Sequence, residues 1–492
     1  MKLKDILARL PYKMLKGSAE TEITSLVYDS RKAGEGSLFV AVIGAKTDGH
    51  AYLPQVFAAG AKAVLVEEGA SLPEGFAYPE DAVVAEVPDS RLGLALASSA
   101  WFGYPAEKLH MIGITGTKGK TTTTYMVKSI LENAGIPTGL IGTIEIVIGD
   151  KHIHATHTTP ESYELQAYLH DMVEAGIGTV VMEVSSQALM LNRTAGIPFE
   201  IGVFTNIEPD HIGPAEHKDF EDYLSCKRRL FTQCRFGIFN GDDAHLTQML
   251  EGHTCQVETY GMENETADLV AYELEHIHRP GYLGVSFKTR GKRELAVELD
   301  IPGKFSVYNA LTAIAICGHF NISDEDILKA LKGAKVKGRI EMVKVSDHFT
   351  LMIDYAHNAM ALESLLTTLK DYHPKRLVSV FGCGGNRARS RRFEMGEVSG
   401  RLADLTVITS DNPRDEEPLD IIADIRTGID KTSGKYIEIP DRREAIRWAI
   451  ENGREGDIIV LAGKGHEDYQ EIRGKKYPMD ERVIIEEILK SR

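Results

Sequence analysis

An apolar run, MIGIT, gives way at residue 116 to the glycine-rich stretch GTKGKT, which opens directly into TTTYMVKSILENAG. The run has the length of a buried strand, and Tyr125, Met126, Ile130 and Leu131 follow at helical spacing. A strand that turns through glycines into a helix is the building unit of an α/β fold with a mostly parallel sheet. The loop lacks the G-x-x-x-x-G-K-[ST] spacing, because Ile114 stands where the first glycine belongs. It keeps what phosphate binding requires. Gly116 and Gly119 let backbone N–H groups approach an anion, and the helix N-terminus adds partial positive charge. Lys120 can reach the β- and γ-phosphates and Thr121 can meet Mg²⁺; Thr117, Lys118 and Thr122 complete the ATP loop.

With 492 residues the chain is long enough for about three domains at ~150 residues each. Short strands alternate with small-residue helices over 1–105, as in SLFVAVIG and DAVVAEVPDSRLGLALASSAW, and predict a small α/β module. The amphipathic start MKLKDILARL reads as a helix interrupted by Pro11. A central nucleotide domain is expected over 106–335, with a β-hairpin region followed by a helix from about Ser306, and a Rossmann-like third domain over 336–492. No apolar stretch approaches the ~18 residues of a membrane span or has signal-peptide character, so the expected location is the cytoplasm. Cys226, Cys234, Cys255, Cys317 and Cys383 show no C-x-x-C pairing and read as buried filler residues.

The net charge of −16 argues against nucleic acid and anionic membranes as partners. Anionic substrates would then need local clusters of Lys and Arg. Such clusters stand beside glycine or strand signals at Lys118, Lys120, Lys227, Arg228, Arg229, Arg387, Arg389, Arg391 and Arg392. Strand-like runs end in polar groups at TVVMEVSS, where Glu183 could share Mg²⁺ with Thr121, and at IGVFTNIEPDH, which places Asp210 and His211 at a strand end before the helix bearing Lys227. In the third domain RLVSVFGCGGNR, LTVITSDNPR and DIIVLAGKGHEDY each end in glycine and charge, and ligands bind at the carboxyl ends of parallel strands.

Taken in order, these segments resemble the Mur ligases, ATP-dependent amide-bond synthetases of peptidoglycan assembly. The resemblance covers essentially the whole chain. It rests on YDSRKAGEGSLFVAVIGAKTDGHAY (28–52), the GTKGKT loop, HTTPES (157–162), EVSSQALMLNR (183–193), the TN…DH stretch with a lysine before LF, YNALTA (308–313), GRIE (338–341), DYAHNAMAL (354–362), GCGGNR (382–387), DNPRDEEP (411–418) and GKGHE (463–467). Lys118 stands where many members carry Asn, Leu191 replaces a polar residue of some members, and prolines common before GR and after DYAH are missing.

The resemblance implies that Ser30 and the Thr47-Asp48-Gly49 turn meet the uridine end of UDP-N-acetylmuramoyl-L-alanyl-D-glutamate, and that Thr158, Thr159, Ser185 and Arg193 hold its muramoyl dipeptide. Lys120, Glu183, His211 and Lys227 become the catalytic set. Thr121, Glu183, His211 and Lys227, the last as a CO₂ adduct, become the Mg²⁺ ligands. Asn309, Arg339 and Asp354 fall on the ATP side, with His357 in the same motif. The amino-acid end falls to Arg387, Asp411, Asn412, Pro413, Arg414, Gly463 and Glu467. Guanidinium groups clamp a carboxylate and Glu467 suits an ammonium, which fits meso-diaminopimelate; L-lysine has no distal carboxylate for Arg414. The expected enzyme is a monomer acting on small molecules. The alternatives are an L-lysine-adding member, a ligase like folylpolyglutamate synthetase and a silent nucleotide-binding protein.

Overall fold

The computed structural model describes residues 1–491 apart from 45, 46, 211, 214, 215 and 280. Its internal contacts gather the chain into two units, 1–268 with 312–322, and 269–311 with the residues from 323 onward.

The first unit contains two sheets. In the smaller, Ser25–Val27, Ser37–Val40, Ala63–Glu67 and Val83–Val87 run parallel in that order, and Lys13–Lys16 pairs antiparallel at the edge. Ser37–Val40 is buried along its whole length, as is expected when helices cover both faces of a parallel sheet. The N-terminal helix is shorter than its sequence predicts. It spans only Leu3–Ile6 and stops well before Pro11, and the chain then extends to pair Lys13–Lys16 with Val83–Val87.

In the larger sheet the order is Gln256–Gly261, Cys234–Asn240, Phe199–Phe204, His110–Thr115, Thr179–Glu183 and Thr138–Ile141, all parallel, followed by antiparallel Glu145–Ile148 and Lys151–His154. His110–Thr115 lies at the point where the chain first builds outward to one side and later to the other. A crevice opens at the carboxyl ends of the strands at such a switch point. The glycine loop and the residues after Glu183 and Phe204 leave the sheet there. Helix Lys120–Asn133 packs on the sheet through Met126, Val127, Ile130 and Leu131, while half-buried Tyr125 donates its hydroxyl to Glu145 at 2.7 Å.

The second unit holds the antiparallel run Leu269–Arg279, Tyr282–Gly291 and Ala296–Leu299, and then the start of helix Lys304–Cys317, close to its predicted origin. Its six-stranded sheet has the order Glu341–Val343, Thr350–Asp354, Asp457–Ala462, Arg376–Phe381, Leu405–Ile408 and Tyr436–Glu438, parallel except for the first strand. Tyr372 ties this unit together. Its hydroxyl donates to the Gly284 carbonyl at 2.8 Å and accepts the Gly303 N–H at 3.0 Å. Tyr372→Phe strands both buried backbone groups, so a loss of about 1–3 kcal/mol is expected; an unchanged urea midpoint would show that the hydroxyl is not needed.

All five cysteines are buried and free, as predicted. Among the described residues, no helix is long and apolar enough to cross a membrane.

Candidate active site

The glycine loop is held from below. The Thr117 N–H donates to the Asn206 carbonyl, Asn206 Oδ1 accepts the Lys118 N–H, and the Thr205 hydroxyl reaches the Lys118 carbonyl at 2.7 Å. Gly116 has φ 150°, and a Cβ there would lie 1.9 Å from Thr205 Oγ1. Gly116→Ala is therefore expected to weaken ATP binding about tenfold, from backbone strain of roughly 1–3 kcal/mol together with displacement of Thr205. Calorimetric titration with ATP checks this; unchanged affinity would mean that the loop adapts. Lys120 folds back onto the carbonyls of Gly116 (2.8 Å) and Thr117 (3.1 Å). Lys118, by contrast, pairs with Glu208 at 2.7 Å, so much of its charge is already balanced.

Glu183 sits at the end of its strand, 1% exposed. The Thr121 hydroxyl lies 3.0 Å from both carboxylate oxygens, and Thr143 gives its N–H (2.8 Å) to one oxygen and its hydroxyl (3.1 Å) to the other. The network then leads outward to the HTTPES and EVSSQALMLNR segments. Thr158 meets the Thr143 hydroxyl at 3.1 Å, and Thr159 donates to the Glu183 carbonyl and accepts the Ser185 N–H. Arg193 donates to the Thr159 carbonyl at 3.0 Å and pairs with Glu161 at 2.5 Å. Glycine-loop helix, strand-end carboxylate and the Thr158-Thr159-Ser185-Arg193 group are thus one connected structure. The oxygens it gathers are those of hydroxyls and a carboxylate, the set a hard cation such as Mg²⁺ prefers.

Lys227 lies on helix Phe220–Arg228 and is 1% exposed, donating to the Gly116 carbonyl at 2.9 Å. Burial, and next the nearby positive charge of Lys120, hold its ammonium pKa well below the ordinary lysine value. Tyr223, one helical turn earlier, has its ring 4.5 Å from the Lys227 nitrogen and its hydroxyl 3.0 Å from Thr117 Oγ1. The helix is braced by buried His217, which joins Ser186 (2.9 Å) to Asp222 (3.1 Å). Asp210 is not at a strand end as the sequence reading placed it, because that strand stops at Phe204. His211 lies outside the described residues.

Also in this unit, a cleft of about 610 Å³ is lined by Ser30, Thr47 and Gly49, together with Tyr28, Arg91 and Glu161. Asp48 is not a lining residue; it shapes the turn. Buried His50 accepts the Glu67 N–H on Nε2 and so presents Nδ1–H to Asp48 at 2.6 Å. At Gly49 an added Cβ would meet the Val42 nitrogen at 2.8 Å.

In the second unit, Asn412 accepts from Lys464 (3.0 Å) and donates to Glu467 (2.8 Å), while Lys464 also reaches Glu467 at 3.2 Å. Gly463 donates its N–H to the Asp354 carbonyl, and a Cβ there would crowd Asp411 at 2.7 Å. Arg414 follows Pro413 with φ 52°, its Nε on Glu471 (3.0 Å) and Nη1 on the Gly385 carbonyl (2.7 Å). Arg387 is exposed. The expected cationic cluster thins out beside it. Arg389 is bound to Asp424, and Arg392 to Asp424 and Glu416, so both act as structural pairs. Arg339 lies over the Tyr355 ring at 4.7 Å, and Asp354 accepts the N–H groups of Ile340 and Ala356, both at 2.8 Å; burial raises its carboxyl pKa. Asn309 is buried in helix Lys304–Cys317, and exposed His357 bonds the Tyr355 carbonyl.

Thr143, Tyr223, Lys464 and Glu471 join the candidate groups through these contacts and are not singled out by the sequence. Only Tyr223 carried a signal, its i−4 spacing from Lys227.

Three family models match the chain: "Mur ligase family, catalytic domain" over 22–101, "Mur ligase middle domain" over 114–317 and "Mur ligase, glutamate ligase domain" over 338–465. The chain is 43% identical over 492 residues (99% of each chain) to a protein of Caldanaerobacter subterraneus subsp. tengcongensis named UDP-N-acetylmuramoyl-L-alanyl-D-glutamate--2,6-diaminopimelate ligase. It is equally identical, over 494 residues and 100% of each chain, to a protein of that name from Clostridium botulinum. A solved structure of an enzyme of the same name superposes with TM-score 0.72 at 29% identity, covering 100% of this chain and 99% of the other. A folylpolyglutamate synthase of Mycobacterium tuberculosis complexed with ADP shares the fold, at TM-score 0.58 and 17% identity over 76% of this chain and 91% of its own. With a fold, a glycine loop and full-length relatives in agreement, the chain belongs to the Mur ligase family.

Proposed function

We propose that this protein is an ATP-dependent, ADP-forming ligase that joins meso-diaminopimelate to the D-glutamate of UDP-N-acetylmuramoyl-L-alanyl-D-glutamate in peptidoglycan biosynthesis. The observation that carries the reading is the full-length identity with ligases of that name, together with an Arg414, Asn412, Lys464 and Glu467 group suited to a zwitterion. The domains we infer are 1–105, 106–335 and 336–492, for UDP-sugar, ATP and amino acid respectively. The enzyme works in the cytoplasm as a monomer.

The chemistry follows from the charges. A carboxylate oxygen of the D-glutamate attacks the γ-phosphorus of ATP, ADP leaves, and an acyl phosphate forms. The diaminopimelate amine then attacks the acyl carbon, loses a proton and expels phosphate. An anion must approach an anion in the first step, so preorganised positive charge is the main requirement. Lys120 supplies it at the loop, and Arg193 orients the dipeptide. Thr121, Glu183 and carbamylated Lys227, with His211, are the residues that would hold Mg²⁺, which offsets phosphate charge when bound. Buried Lys227 favours its neutral amine, the form that adds to CO₂ with loss of a proton. Asn309, Arg339 and Asp354 serve the nucleotide, and Arg387, Asp411, Asn412, Arg414, Gly463 and Glu467 the amino acid.

Phosphate release with ATP, Mg²⁺ and UDP-N-acetylmuramoyl-L-alanyl-D-glutamate tests the reading. Turnover is expected with meso-diaminopimelate and little with L-lysine, with the product mass confirming the amide. A preference for lysine would keep the ligase and overturn the amino-acid assignment.

A further inference from the structure

Arg442 opens helix Arg442–Glu451, and its side chain is wholly buried within the second unit. All three of its nitrogens are engaged. Nε donates to buried Glu481 at 2.8 Å, Nη2 to the Ala462 carbonyl at 2.9 Å and Nη1, more loosely, to the Ser410 carbonyl at 3.4 Å. Ala462 ends its strand, and Ser410 follows the end of Leu405–Ile408. These two strands lie on either side of Arg376–Phe381, so two steps of about 4.8 Å separate them in the sheet. One planar fork bridges that gap beyond the end of the middle strand. The chain leaves the middle strand through Gly382, where a Cβ would lie 2.2 Å from the Thr409 carbonyl oxygen. The bridged carbonyls stand just before the two segments that meet in the candidate amino-acid group, Asn412 on one and Lys464 with Glu467 on the other. Helix Glu481–Lys490 backs both contacts with its first turn. Glu481 holds Arg442 there, and Arg482 donates to the Gly465 carbonyl at 3.0 Å.

We propose that Arg442, fixed by Glu481, is a positioning residue for the amino-acid substrate, setting the spacing between the 410–414 and 463–467 segments. It rests on the assignment of Asn412, Arg414 and Glu467 to that substrate. A buried ion pair adds little stability, because desolvation offsets the attraction and an apolar pair of similar size packs as well. What arginine adds beyond charge is geometry. Its rigid fork fixes two carbonyls at once, whereas a lysine ammonium is a point charge on a flexible stem. The ammonium and distal carboxylate of one amino acid lie at a set separation. With Glu467 on one segment and Arg414 on the other, a slip between the segments spoils both contacts together. The UDP substrate is held in the first unit and does not sense that slip.

Two full-length variants test this. Arg442→Met combined with Glu481→Leu removes both charges together and leaves no lone buried carboxylate, so its urea midpoint is expected to stay near wild type. Its KM for meso-diaminopimelate is expected to rise at least about tenfold, with KM values for ATP and the UDP substrate within about twofold of wild type. Amide hydrogens of 410–414 and 463–467 are expected to exchange about tenfold faster, while those of strand Asp457–Ala462 keep their protection. Arg442→Lys retains a charge for Glu481 but no fork, and should show the same diaminopimelate defect. Unchanged KM and exchange in the double variant, full recovery with lysine, or an equal rise in all three KM values would each overturn the proposal. A wild-type enzyme that takes no diaminopimelate would sink the substrate assignment alone, and the exchange rates of the two segments would still decide whether Arg442 positions them. If the double variant does not fold, Arg442→Lys decides.

Discussion

A Lys227→Met enzyme is expected to turn over about 10²–10³-fold more slowly than the wild type, the loss typical when one preorganised charge-stabilising group is removed. Methionine keeps most of the apolar stem of lysine, so the helix Phe220–Arg228 should survive although the nitrogen over the Tyr223 ring is lost; ADP binding and thermal midpoint are expected to stay near wild type. What disappears is the nitrogen that donates to the Gly116 carbonyl from a site 1% exposed. Burying a lysine so close to Lys120 has no purpose as simple cation supply, because desolvation and repulsion both oppose the charge. It has one if the nitrogen is to be neutral and to carry a carboxyl group. Depleting dissolved CO₂ should therefore slow the wild type, re-addition should restore it, and Lys227→Met should respond to neither. A wild type indifferent to CO₂, with Lys227→Met still strongly impaired, would leave Lys227 essential but uncarbamylated.

The contrast between Lys227 and its surroundings also explains what could be read from sequence. The glycine loop was legible because strand, turn and helix are consecutive, and their chemistry depends on local geometry. Glu183 was legible because a polar residue that ends an apolar run must lie at a strand end. Thr143 was not, since its place against Glu183 comes from strand order across the sheet and from a turn with no special composition. The same limit misjudged Arg389 and Arg392. A run of arginines after GGN has one appearance in sequence whether it faces substrate or, as here, is neutralised by Asp424 and Glu416 from another helix and its approach. The N-terminal helix failed for a related reason. Its amphipathic pattern is sound, but edge pairing of Lys13–Lys16 with Val83–Val87 claims the chain soon after Ile6.

Arg414→Ala is expected to raise the KM for meso-diaminopimelate at least about thirtyfold, the lower end of the 2–5 kcal/mol associated with truncating one partner of a hydrogen-bonded charge pair. KM values for ATP and for the UDP substrate should be unchanged. The guanidinium is already aimed: Nε is fixed by Glu471, Nη1 by the Gly385 carbonyl, and the backbone on either side by bonds to the Glu471 carbonyl and the Arg473 N–H. Under the proposed assignment Nη2 receives the distal carboxylate, and little side-chain entropy remains to be lost on binding. Glu471 sharpens the test. Without Arg414 its carboxylate confronts the incoming one as a like charge, so Arg414→Ala combined with Glu471→Gln should recover part of the lost affinity, while Glu471→Gln alone should weaken binding by loosening Arg414. Arg414→Lys keeps charge but not the planar fork, and should fall between wild type and alanine. If ATP binding fell as far as diaminopimelate binding, the arginine would be holding the fold and not the substrate, and the preference over lysine would need another origin.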